Sequence, residues 1–496
     1  MSKKVTIRRL ATGVPGLDAL LGGGIPEFSF NLIAGTPGAG KTTLAHQIMF
    51  SLANPQRRAL FFTVLGEPPL KMLRYQQQFS FFDIDQINTS IRFVNLASDL
   101  LDGQFDRVLA RITEEVESFG PSLVFVDSFR SVVQSARLAR EDSGLLGLQH
   151  FVQSLGVQMT SWQATTFLIG EYPTQEEESS PVFTVADGIV WMSQHIHGDA
   201  MVRKIQVVKM RGQAQRPGLH AFRISQDGVE VFPRTLLPAE RTADVRLPGD
   251  HRLTMGVPLL DEMMGGGLPA GYSLLVVGPS GCGKSVLATE FLAEGVRQGE
   301  PGVIVAFEKS PNQLLSQRLH ALVHSGQVGV IDTRALDLSI DEILHDLVKL
   351  IKKMKAKRVV IDSLSGFELA LASVFRDNFR ESLYRLTAVL TSLGVTVLMT
   401  AELEDRYTDL RFSGYGNAFL TDAILMLRYV EIGGQFRRVL SVVKMRSSAH
   451  SKDIRFFDIA QDSLRIGDAL TRYNGILSGQ PVLIPDTDGA DPGQAA

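Results

Sequence analysis

Cysteine is almost missing from this chain: Cys282 is the only one in 496 residues. That excludes an intramolecular disulfide framework and fits a reducing cytosol. No Cys/His cluster points to a structural zinc site. No apolar run reaches the ~18 residues of a membrane span. The opening stretch MSKKVTIRRL is basic but has no apolar core, so it is not read as a secretory signal. Positive charge is not in excess either. The net charge is −3, and no Lys/Arg run carries interleaved aromatics, which weighs against a nucleic-acid partner. The stretch EYPTQEEESSPV is acidic and would repel a phosphate backbone. What remains is ordinary globular composition, 44% hydrophobic and 21% charged, in a chain too long for one compact core.

An internal repeat organises the chain. GVPGLDALLGGGIP at 13–26 matches GVPLLDEMMGGGLP at 256–269. Asp18 pairs with Asp261, Gly24 with Gly267 and Lys41 with Lys284, an offset of 243 (284 − 41) that holds as far as Pro68 and Pro311. Later the offset becomes 235 (362 − 127), pairing Asp127 with Asp362, Asp187 with Asp422 and Lys209 with Lys444. Units this long are tandem domains, not solenoid repeats. The expected layout is a first domain over 1–234, a Pro- and charge-rich linker over 235–250, a second domain over 251–478 and a flexible tail over 479–496.

Strands and helices alternate within each copy. SLLVV is an apolar run before a glycine loop, and KSVLATEFLAEGV follows it with helical spacing. SIDEILHDLVKLIKKM opens on a capping box from Ser339 to Glu342 and feeds the strand RVVIDS. This alternation predicts an α/β fold, a mostly parallel sheet with flanking helices. Near the end of each copy come paired strand-like runs, such as AILMLRYVEI and FRRVLSVVKM around Gly433-Gly434, which predict a C-terminal β-hairpin.

GTPGAGKT at 35–42 and GPSGCGKS at 278–285 both satisfy G-x-x-x-x-G-K-[ST] between a strand and a helix. Such a loop wraps phosphates with backbone N–H groups at a helix N-terminus. The nucleotide-binding residues are therefore expected at Gly35, Thr36, Pro37, Gly38, Ala39, Gly40, Lys41, Thr42 and Thr43 in the first copy. In the second they are Gly278, Pro279, Ser280, Gly281, Cys282, Gly283, Lys284, Ser285 and Val286. Lys41 and Lys284 are expected on the β/γ-phosphates of ATP. Thr42 and Ser285, with Asp127 and Asp362 at the ends of LVFVDS and RVVIDS, are expected on the Mg²⁺ side. An Asp at a strand end is otherwise a common turn former. Cys282 reads either as a redox sensor or as a small tolerated side chain.

Hydrolysis also needs a group that orients or deprotonates the attacking water. Glu308, ending the expected strand VIVAFE after the loop helix, is the candidate in the second copy, beside Lys309. The first copy has Leu65 at that place, then Gly66, with Glu67 one or two positions late. The expectation is that the first copy binds ATP but hydrolyses it slowly, while the second is the active ATPase. Lys209 with Arg211, and Lys444 with Arg446, close the second hairpin strand of each copy. Such a pair is usually a solvated edge, but its recurrence fits a clamp on a neighbouring subunit's ATP.

The lead-ins GGGIP and GGGLP, both phosphate loops, VDS and IDS, VVKMRG and VVKMRS, and LTDAILMLRYVEIGG together resemble the KaiC family over about 9–484. That family contains the cyanobacterial clock ATPase and autokinase. The resemblance implies two RecA-like domains stacked as two rings of a homohexamer, with ATP between subunits. It also implies a switch or signalling role with a further protein partner. Two departures stand out. The clock protein carries two adjacent glutamates where the first copy has Leu65-Gly66, and the second copy keeps only Glu308 of the pair. The positions of its phosphorylated Ser and Thr are Ala418 and Phe419 here, without hydroxyls, and the nearest are Ser413 and Thr421. An autokinase and a RecA-like DNA motor are the alternatives to an ATP-driven switch.

Overall fold

The computed structural model describes residues 7–64, 69–100, 105–132, 144–172, 181–197, 200–234, 251–307, 316–332, 339–371, 379–403, 420–460, 463–476 and 482–484. Leu65, Gly66, Glu67, Glu308, Lys309, Ser413, Ala418, Phe419 and most of the acidic stretch lie outside them. The chain forms two compact units, Met1–Arg234 and Thr235–Ala496.

The first unit is built on a nine-stranded sheet. Its strands are β1 (Phe30–Gly35), β2 (Ala59–Thr63), β3 (Ile91–Asn95), β4 (Leu123–Asp127), β5 (Thr165–Glu171), β6 (Gly188–His197), β7 (Ala200–Met210), β8 (His220–Ser225) and β9 (Gly228–Phe232). Their spatial order is β3-β2-β4-β5-β1-β6-β7-β8-β9. The pairs from β3 to β6 are parallel and those from β6 onward antiparallel. Strand β1 is buried at every residue, as an apolar strand covered on both faces must be. Alternate residues serve opposite layers: Leu32, Leu60 and Phe62 join one core, Ile33, Ala59 and Phe61 the other. Helix α1 (Lys41–Leu52) packs in the second of these layers, while α2 (Phe105–Phe119) and α3 (Gly144–Ser161) pack in the first.

The second unit repeats the plan. Its strands are β10 (Ser273–Gly278), β11 (Gly302–Ala306), β12 (Val328–Asp332), β13 (Arg358–Asp362), β14 (Thr396–Glu402), β15 (Ala423–Ile432), β16 (Gln435–Met445), β17 (Arg455–Ala460) and β18 (Ser463–Ala469). The order β12-β11-β13-β14-β10-β15-β16-β17-β18 reproduces that of the first sheet strand for strand. Its helices include α4 (Lys284–Arg297), α5 (Ile340–Met354) and α6 (Phe379–Ser392). The Ser339 hydroxyl accepts from the Glu342 N–H at 3.2 Å, capping α5. Gly433 and Gly434, at φ 60° and 75°, make the tight turn between β15 and β16 that side chains would disfavour.

One strand end differs from the sequence expectation. VIVAFE does not stay a strand to its end: β11 stops at Ala306, whose neighbour β13 ends opposite it at Asp362. One further bond, Phe307 N–H to the Asp362 carbonyl at 3.3 Å, closes the ladder. Beyond 478, Val482–Leu483 pairs antiparallel with Tyr473–Asn474.

Candidate functional site

In both sheets the strand before the glycine loop is central, flanked by a parallel strand on each side, and the loop leaves its carboxyl end. Open α/β sheets bind ligands at this place. Each loop runs into a helix whose N-cap is glycine in the left-handed region, Gly40 at φ 93° and Gly283 at φ 111°. A Cβ at Gly40 would come within 2.4 Å of the Ile224 side chain, and one at Gly283 within 2.8 Å of Ile459. Neither helix has a side-chain cap, so its first-turn N–H groups are left for an anion.

The first site opens into a cavity of about 570 Å³ lined by Gly38, Gly40, Lys41, Thr42, Asp127 and Glu171, among others. Lys41 is only 5% exposed, and burial lowers the pKa of its amine. Its Nζ donates to the Thr36 carbonyl at 2.7 Å and stands 3.6 Å from Glu171 Oε1. The Thr42 hydroxyl donates to Asp127 Oδ2 at 2.6 Å. Burial pushes the Asp127 carboxyl up to about 6, against the pull of Thr42 and Lys41. In the second unit Lys284 Nζ donates to the Gly278 and Pro279 carbonyls, both at 2.8 Å. Asp362 accepts from the Thr400 hydroxyl. Both Asp127-Ser128 and Asp362-Ser363 are cis peptides.

The donor set fits Mg²⁺. It offers hydroxyl and carboxylate oxygen, the chemistry of a hard cation that also takes oxygens from nucleotide phosphates. Among the described residues no group of three or more His, Cys, Asp or Glu could hold a metal without such help. Cys282 is fully buried in the core, and burial raises its thiol pKa, which favours the packing reading over the redox one.

The basic residues of the hairpins bond within their own chain, while the Arg211 and Arg446 side chains stay 60% and 50% exposed. Lys209 Nζ donates to the Phe183 and Thr184 carbonyls at 3.4 and 3.1 Å, and Arg211 Nη1 to Asp187 Oδ1 at 3.1 Å. Lys444 Nζ donates to the Thr421 carbonyl at 2.7 Å, and Arg446 Nη1 lies 3.5 Å from Asp422 Oδ1. The arginines are not strand residues. Strands β7 and β16 end at Met210 and Met445, opposite Gly188 and Ala423, where the partner strands begin. Asp187 and Asp422 also accept from the N–H of Phe30 and of Ser273, both at 3.0 Å, tying each hairpin to the strand that carries the loop.

Three further residues stand at the first site: Glu171, Arg130 and Gln194. Arg130 Nη1 donates to the Glu171 carbonyl at 2.6 Å. The Gln194 side chain donates to the Pro37 carbonyl at 3.0 Å, and its N–H to the Thr36 hydroxyl at 3.2 Å. Their partners lie far away along the chain, so no local pattern marks them. A signal existed for Glu171 alone: TTFLIGE and TVLMTAE end alike in the two copies.

Two sheets of one topology, each with a phosphate loop at the carboxyl end of its central strand, define a tandem RecA-like P-loop protein. The chain belongs to the KaiC ATPase family: the family profile described as "ATPase: KaiC" matches residues 10–236 and 253–471. It is 30% identical to the circadian clock protein KaiC3 of Synechocystis, over 96% of this chain and 95% of that protein. Identity is 29% to the circadian clock oscillator protein KaiC 1 of the same organism, covering 96% and 92%. It is also 29% to the KaiC oscillator protein of Rippkaea orientalis, again covering 96% and 92%.

Proposed function

We propose that the protein is an ATP-binding and ATP-hydrolysing switch, whose second unit does most of the hydrolysis and whose first unit binds ATP and turns it over slowly. The observation that carries this reading is the pair of equivalent phosphate loops, of which only the second is followed by an acid at the place of Glu308. Lys41 and Lys284 meet the β/γ-phosphates once they leave the carbonyls that now hold them. Thr42 with Asp127, and Ser285 with Asp362, would hold Mg²⁺, which when bound would neutralise charge on the phosphates. The resemblance to clock proteins extends the reading to a double-ring homohexamer with ATP at subunit interfaces. There Lys209, Arg211, Lys444 and Arg446 would exchange their present partners for a neighbour's nucleotide. A signalling protein partner and a cytoplasmic location follow from the same reading. No helix among the described residues is long and apolar enough to cross a membrane. Autokinase activity has less support, because Ala418 and Phe419 offer no hydroxyl. A DNA motor is disfavoured by the net charge of −3.

Steady-state release of inorganic phosphate tests the division of labour. Glu308→Gln should abolish most turnover while leaving ATP bound, and Lys284→Ala should cut turnover more than Lys41→Ala. Unchanged turnover in Glu308→Gln, or the reverse order of the two lysine variants, would reject it.

A further inference from the structure

The internal repeat separates the acids that both phosphate sites keep from the one that only the second keeps. Asp127 and Asp362 end equivalent strands. So do Glu171 and Glu402, each in parallel register with the first glycine of a loop, Gly35 and Gly278. Glu308 has no such twin, since Leu65 stands in its place.

Glu171 is placed by what surrounds it. Strand β5 runs between β4 and β1, so its end faces the cavity beside Asp127 and the loop. Its Oε1 is 3.6 Å from Lys41 Nζ, the amine destined for the terminal phosphates, so the carboxylate stands close to where the γ-phosphate must come. Arg130 holds the Glu171 carbonyl at 2.6 Å and lies 5.5 Å over the Tyr172 ring, which fixes the end of the strand. The Glu171 side chain is 52% exposed and therefore reachable by water. Asp127 is a poorer candidate for the same task, being already engaged by Thr42 at 2.6 Å.

We propose that Glu171 orients the attacking water in the first unit, in place of the acid absent at Leu65; this rests on the reading that the first unit binds ATP. As Lys41 moves onto the phosphates, the carboxylate loses its cation and gains a water to accept from. The water oxygen bonds to the terminal phosphorus while the bond from that phosphorus to the bridging oxygen breaks. ADP keeps the electron pair, one hydrogen of the water stays on inorganic phosphate, and the other leaves as a proton by way of Glu171 to solvent. A half-exposed acid is a weaker guide than an enclosed one, which fits the slow turnover proposed for this unit.

The test uses the full-length Lys284→Ala protein, in which the second unit is silenced. ATP binding is measured with a radiolabelled nucleotide, and phosphate release gives kcat and KM separately. The parent variant should bind ATP in the first unit and retain slow turnover. Adding Glu171→Gln should lower that residual kcat by about ten-fold or more with little change in KM. Adding Glu171→Asp should restore part of it, and Glu67→Gln should leave it unchanged. An unaltered kcat in Glu171→Gln, loss of turnover in Glu67→Gln, or no residual turnover in the parent despite bound ATP would each overturn the proposal alone. Absence of ATP binding in the parent would remove the reading on which it rests.

Discussion

At Asp127 burial and function pull in opposite directions. The carboxyl is raised from 3.8 to about 6, chiefly by desolvation. Between those values the folded protein keeps a proton that the unfolded chain has released. This group therefore favours folding most at low pH, and its contribution declines as pH rises towards 6. A divalent cation reverses the preference, because it binds the ionised form. Mg²⁺-dependent ATP binding by the first unit should strengthen as pH rises through about 6. Each pH unit below that should cost up to ~ten-fold in affinity. Calorimetric titration of the Lys284→Ala protein on both sides of pH 6 measures this. Asp127→Asn can still accept from Thr42 but cannot ionise, so it should bind Mg²⁺-ATP more weakly and with a shallower pH slope, the remainder coming from the nucleotide's own terminal phosphate.

Among the elements, those whose cause is local were legible in the sequence, and those whose cause is a distant partner were not. The glycine loops, the strands before them, the Ser339 cap of α5 and the Gly433-Gly434 turn each follow from neighbouring residues. Glu171 does not, because its meaning comes from Lys41 across the sheet. In the sequence the arginines after β7 and β16 look like strand residues, because nothing nearby says where the partner strand begins. Arg358 is a further case. It opens β13 and reads like a polar strand start, yet it is 0% exposed. Its Nε bonds Glu300 at 2.9 Å, Nη1 bonds the Thr254 and Phe291 carbonyls at 2.6 and 3.0 Å, and the guanidinium lies 4.7 Å over the Phe291 ring. The first copy has Leu123 there. Removing the anion alone leaves a buried cation uncompensated. Glu300→Gln should therefore destabilise the second unit by about 2 kcal/mol, below the cost for a fully buried pair because Glu300 keeps some contact with water. Denaturant unfolding should show the loss in one transition, with the first unit's unchanged.

For the whole molecule, the repeat provides two phosphate sites of common plan, and the function proposed above assigns them different tasks. Among the described residues each unit has its own nine-stranded sheet with a core on either face, so each builds its phosphate cradle from its own residues. A site that binds ATP and rarely hydrolyses it stays loaded, which suits assembly; a site that hydrolyses readily suits switching. For the homohexamer that the resemblance implies, mass measured under native conditions should rise six-fold over the single chain with Mg²⁺-ATP. Lys41→Ala should weaken that assembly more than Lys284→Ala, since it empties the site that otherwise remains filled. The same asymmetry bears on phosphorylation. Transfer to the chain needs a hydroxyl held at the terminal phosphate. Ala418 and Phe419 occupy the places where the resemblance puts such hydroxyls, and Thr421 is 1% exposed. Incubation with γ-labelled ATP should accordingly release nearly all label as inorganic phosphate. Stoichiometric label retained on the protein would mean that another hydroxyl reaches the nucleotide, and that the second site divides its turnover between water and the chain.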